Sequence, residues 1–112
     1  MRNIKTEDKG NTSFIFIEGD VEFDDSKKLT DTFEDILYHK KKNIALNLED
    51  CHYIDFSGLG TLLRGQKESE KNQKQFSICS ISDDCREIIT PTYIYQKIKI
   101  FESMEEYVQC MN

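Results

Sequence analysis

No stretch of this 112-residue chain approaches the roughly 18 uninterrupted apolar residues of a membrane-spanning helix. The opening residues, Met1 to Asp8, lack an apolar core, which predicts no signal peptide and a cytoplasmic location. There is no Cys-x-x-Cys pair. Cys51, Cys79, Cys85 and Cys110 are scattered, and in a chain without an export signal they read as reduced, half-buried thiols. A basic stripe is also missing: the formal net charge is −6. That argues against nucleic acid. It suits a soluble protein that stays monomeric or meets a basic surface on a partner. Proline occurs once, at Pro91, and no linker, repeat or low-complexity tract divides the chain. With 38% apolar residues there is enough for one core and hardly for two, so residues 1–112 read as one domain.

Strand and helix signals alternate. Ile4 to Glu7 reads as a short edge strand and Lys9-Gly10-Asn11 as a turn. Phe14-Ile15-Phe16-Ile17 is too short for a helix and fits a strand covered on both faces. Asp24, Asp25 and Ser26 offer caps to a helix with an apolar stripe of Leu29, Phe33, Ile36 and Leu37. It closes at His39 to Lys42, where cations suit the dipole. Asn43 to Leu48 is the best central strand, and Leu59, Leu62 and Leu63 mark a second helix. Phe76 to Ile81 reads as another strand, and Ser82 caps a helix that Thr90-Pro91 stops. Lys97 to Phe101 is a short last strand, and Ser103 with Glu106 forms a capping box. Met104, Tyr107, Val108 and Met111 give that last helix its apolar face. This order predicts an α/β domain with a mixed, mostly parallel sheet of four to five strands. About four helices pack mainly on one face.

The most informative stretch joins the central strand to the second helix: Asp55-Phe56-Ser57-Gly58-Leu59-Gly60. Ser57 has two readings. It can be a plain N-cap, accepting from the amide of Leu59 or Gly60. It can also be a modified or partner-contacted hydroxyl. Gly58 and Gly60 each cost about 0.5–1 kcal/mol relative to alanine in a helix, a penalty that points to close backbone approach or clearance for a partner. A phosphate on Ser57 would gain about 0.3–1 kcal/mol from the helix dipole, while adding about two negative charges beside Asp55.

This corner resembles the Asp-Ser-Ser-Gly-Leu signature of STAS domains, specifically of bacterial anti-sigma factor antagonists. Three further segments carry the likeness along nearly the whole chain. Phe16 to Glu22 is similar to the family's strand followed by Gly-Glu-Leu-Asp. Asn43 to Tyr53 is similar to its central strand and turn, and Phe101 to Tyr107 to the start of its C-terminal helix. The resemblance implies a partner switch. The unphosphorylated protein would bind an anti-sigma factor that is also a serine kinase of the histidine-kinase-like ATPase type, freeing a sigma factor. Phosphorylation of Ser57 would end the complex, and a PP2C-type phosphatase would restore it. By the same likeness the docking surface would comprise Asp55, Phe56, Gly58 and Leu59 with the loop Gly19, Asp20, Val21 and Glu22. Phe56 stands where the family usually has serine, so it is either a partner contact or a core residue. Asp20 and Glu22 exchange the usual carboxylate lengths, and Pro91 to Ile94 replaces the usual glycine-leucine. The family also includes constitutive adaptors and subunits of signalling or transport assemblies without a phospho-switch.

Other chemistries fit less well. Asp20, Glu22, Asp24 and Asp25 suggest a calcium loop, but Asp25 stands at the sixth position and Asp31 at the twelfth, where glycine and glutamate belong. No metal or cofactor is expected. A serine hydrolase would want Gly-x-Ser-x-Gly. Asp55 and Leu59 occupy the glycine positions around Ser57, and His39 and His52 read as surface residues, so no catalysis is expected.

Overall fold

β1 (Asn3–Lys9) and β2 (Thr12–Glu18) pair antiparallel, from Asn3↔Glu18 to Lys9↔Thr12, across a Gly10-Asn11 turn. β3 (Asn43–Leu48), β4 (Phe76–Ile81) and β5 (Lys99–Phe101) then add in parallel, giving one sheet in the order β1-β2-β3-β4-β5. The coordinates, a computed structural model, describe residues Met1–Met111.

The period-2 alternation of the strands divides the apolar side chains between two layers. Ile15, Ile17, Ile44, Leu46, Leu48 and Ile78 face α1 (Ser26–Glu34), α2 (Phe56–Lys71), α3 (Asp83–Ile89) and the single turn α4 (Ile94–Lys97). Phe14, Ala45, Cys79 and Phe101 face α5 (Met104–Met111) on the other side. There Tyr107 packs edge-to-face on Phe14 and Phe101, with ring centroids 5.4 and 5.2 Å away. Its hydroxyl is 3.0 Å from Thr12 Oγ1.

Several expectations need correction. β1 and β2 are each longer than expected, because the antiparallel ladder carries polar residues of β1 along with it. The first helix leaves α geometry at Asp35 and continues to Lys40 in wider π-helical turns, ending on a left-handed Lys41 (φ 56°). All four of its predicted apolar residues are buried. α4 lies where no helix is expected. It is one turn, held by Ile98 N–H donating to Ile94 O at 2.9 Å, too short to show a period. With it the α-helices among the described residues number five, in keeping with the expected count of about four. Met111, assigned to the apolar face of α5, is exposed. Cys51, Cys79 and Cys85 are fully buried rather than half-buried, and Cys110 is exposed.

One irregularity shapes the end of the sheet nearest α2. The β3–β4 ladder steps from Leu46↔Ile78 to Leu48↔Ile81, which puts an extra residue in β4 with Ser80 at φ 67°. Such bulges bend a strand and re-aim the residues beyond it. Here Ser82 lies over the turn after β3, its Oγ donating to Cys51 O at 2.5 Å and accepting from Cys85 N–H at 3.1 Å.

Candidate functional site

The loops leaving the carboxyl ends of β2 and β3 are laced together. Gly19 N–H donates to Asp50 O (3.1 Å), Val21 N–H to Tyr53 O (2.9 Å) and Asp55 N–H to Val21 O (3.0 Å), so Val21 and Ile54 form a parallel bridge beyond the strands. Gly19 has φ 96°, and a Cβ there would lie 2.7 Å from the Arg2 nitrogen, so the position demands glycine on both counts.

Asp55, not Ser57, caps α2. Its extended backbone (φ −82°, ψ −179°) turns the chain into the helix. Its Oδ1 accepts from Gly58 N–H at 2.7 Å, and its Oδ2 accepts from Phe23 N–H at 3.1 Å. One carboxylate therefore starts the helix and ties it to the β2 loop. Such a cap is worth about 0.5–2 kcal/mol. The capping reading of Ser57 is thereby corrected: the serine sits one residue inside the helix, exposed. Among the described residues its hydroxyl has no hydrogen-bond partner, and nor do the amides of Phe56 and Ser57.

The two glycines separate. A Cβ on Gly58 would fall 2.8 Å from both Val21 O and Ile54 Cγ2, so this glycine lets the helix lie against the loop bridge. Nothing lies within 4 Å of a Cβ on Gly60, which stands in open space. Around Ser57 the ring of Phe56 is 92% exposed and that of Phe23 is 71% exposed. The two phenylalanines flank the Asp55 tie, one following it in the chain and the other donating its amide to it. The open choice for Phe56 is settled: it points outward.

The other expected residues divide by placement. Asp20 and Glu22 are exposed, Leu59 is half-buried against the main core, and Val21 and Gly58 are buried. Val21 thus offers a partner no side chain, and it positions the site from beneath. Asp25, one of the weighed calcium carboxylates, turns back to accept from Glu22 N–H at 2.8 Å. Phe23 is a site residue that sequence reasoning misses. Its one signal is an aromatic ring in a run of acids, Glu22-Phe23-Asp24-Asp25. Neither histidine serves the serine: His39 pairs with Asp35 and His52 with Asp84, each at 3.1 Å. Ser57 is exposed, and neither histidine is hydrogen-bonded to it.

Comparison with known proteins places the fold. The family model described as the STAS domain matches residues 3–107. The chain belongs to the STAS family. Among solved STAS folds it is similar to an anti-sigma factor antagonist from Mycobacterium paratuberculosis (13% identity, TM-score 0.83, covering 96% of this chain and 92% of that one). It is also similar to the cell fate determinant SpoIIAA of Bacillus in its phosphorylated form (16%, 0.76, 98% and 100%). SpoIIAA, described as an anti-sigma factor antagonist, is known in an unphosphorylated form too. A sulfate transporter family protein from Wolinella succinogenes matches comparably (17%, 0.78, 90% and 87%). At such identities these are likenesses of fold. No helix among the described residues is long and apolar enough to cross a membrane.

Proposed function

We propose that this STAS domain is an anti-sigma factor antagonist whose partner binding is switched by phosphate on Ser57. The observation that carries the reading is the division of labour at the start of α2. Asp55 does the capping, which leaves the Ser57 hydroxyl exposed and unengaged. In this reading the unphosphorylated protein docks on an anti-sigma factor that is also a serine kinase of the histidine-kinase-like ATPase type. Phe56 and Phe23 supply apolar contact, and Asp20 and Glu22 supply charge. The exposed carboxylates suit a basic partner face. The domain itself turns nothing over, binds no nucleic acid and needs no cofactor, and a PP2C-type phosphatase reverses the modification.

The fold itself accommodates the phosphate, since the unpartnered amides of the first turn favour an anion. The docked state does not. About two negative charges beside Asp55 must be desolvated at the centre of the contact. A cost of about 3–5 kcal/mol there is enough to empty the complex. Phosphopeptide mapping of the protein recovered from its native cells tests the reading. One phosphate on Ser57 is expected; a phosphate confined to other residues overturns it.

The likeness to a transporter-family STAS domain favours a second reading, a constitutive adaptor or scaffold subunit that uses the same aromatic surface without a switch. It requires that Ser57 remain unmodified under every growth condition in which the partner is bound and released.

A further inference from the structure

We propose that Cys51 and Cys85 form a redox-active dithiol beneath the Ser57 site, closed to a disulfide by a low-molecular-weight disulfide. The two sulfurs lie 3.5 Å apart, and both residues have no exposed surface. A disulfide needs the sulfurs at about 2.05 Å, so closure asks for an approach of about 1.5 Å between two segments already in contact. Those segments are clasped at several other points. Cys85 Sγ donates to Cys51 O at 3.0 Å, Ser82 Oγ donates to the same carbonyl, and their neighbours His52 and Asp84 pair at the surface.

The chemistry is asymmetric. The Cys85 thiol is lowered from its ordinary value by its contact with the Cys51 sulfur. The neighbouring Cys85 sulfur and burial push Cys51 up. Thiolates, not thiols, are the nucleophiles. Cys85 therefore attacks a sulfur of the small disulfide and expels one thiolate. Cys51 then loses its proton and attacks the Cys85 sulfur of the mixed disulfide, expelling the second thiolate. The two protons given up by the cysteines end on the two departing thiolates. The sum converts two cysteine thiols and one small disulfide into one protein disulfide and two small thiols. Because both sulfurs are covered, the reaction proceeds through transient opening of the turn after β3.

The link to the site is direct. Cys51 Sγ donates to Tyr53 O at 3.5 Å, and that carbonyl also receives the Val21 amide of the loop bridge. Closure removes the thiol donor and ties the loop that starts α2 to α3. Cys79 has no such partner: it lies under α5, and burial raises it to about 12. The dithiol rests on its own geometry and stands whether or not Ser57 is phosphorylated.

The test incubates the full chain with bis(2-hydroxyethyl) disulfide and reads intact mass and peptide maps. In the expected product Cys51 and Cys85 have lost two hydrogens to a cross-link, Cys79 still titrates after denaturation, and the exposed Cys110 is free or carries one half of the reagent. A Cys79→Ala/Cys110→Ala protein should form the same cross-link and leave no titratable thiol, while Cys51→Ala and Cys85→Ala should not close. The oxidised double variant should unfold on the order of 10 °C above its reduced form. Should the single alanine variants fail to fold, the maps of the wild type and the double variant still decide. Retention of all thiols in folded wild type, or a cross-link through Cys79 or Cys110, overturns the proposal.

Discussion

Beneath α5 the aromatic rings point inward and their polar atoms are satisfied. Around Ser57 the arrangement is reversed. Tyr107 buries its ring against Phe14 and Phe101 and shares its hydroxyl with Thr12. At the start of α2 the polar Asp55 is drawn half-inward to hold backbone amides, and Phe23 and Phe56 are left in solvent. The first region is organised to hold a sheet together. The second spends its polar groups on positioning and presents apolar surface that does nothing for the folded monomer. Exposed rings of that kind mark contact surfaces, and here one precedes Ser57 in the chain while the other is tied by its amide to Asp55.

The contrast can be broken from the stable side first. Tyr107→Ala should cost about 3–5 kcal/mol, seen as a large drop in the urea midpoint, because it empties the centre of the smaller core. Gly58→Ala should cost about 1–3 kcal/mol by forcing a methyl against Val21 and Ile54, whereas Gly60→Ala should be neutral or slightly stabilising. Equal effects at the two glycines would contradict the close approach seen only at Gly58.

A subtler change sharpens the same comparison. Tyr107→Phe should cost about 1 kcal/mol at neutral pH by leaving Thr12 unpaired. Burial raises the Tyr107 phenol above its ordinary 10.0, so the unfolded chain releases that proton first. The contribution is complete below about pH 10 and is lost as pH rises through the folded value. Urea melts should therefore show the gap between Tyr107→Phe and wild type narrowing in alkali. At the other end of the molecule, Phe56→Ser should shift stability by less than about 0.5 kcal/mol. In the proposed complex it should weaken partner binding by at least about 1 kcal/mol, measured by titration calorimetry.

These differences also show what can be read without coordinates. The sheet is legible because Phe14 to Ile17, Asn43 to Leu48 and Phe76 to Ile81 have apolar runs of strand length, which leave little choice of element. α4 is not, since a single turn has no period and its one buried anchor, Ile94, looks like any loop isoleucine. At the candidate site the motif locates the helix start. It does not say which oxygen caps, because Asp55 and Ser57 are both good caps and only the β2 loop, brought in by tertiary pairing, decides between them. Phe23 is out of reach for the same reason: its place beside Asp55 depends on a hydrogen bond spanning 32 residues.

The most direct test of the Ser57 switch is the affinity of one partner for three forms of the protein. The proposed partner, an ATPase-type kinase captured on the wild-type domain from native extract, is compared on wild type, Ser57→Ala and Ser57→Asp. Wild type and Ser57→Ala should bind alike, Ser57→Asp at least about tenfold more weakly, and only wild type should be released when ATP is added. Equal binding by all three, with no release on ATP, would contradict the switch.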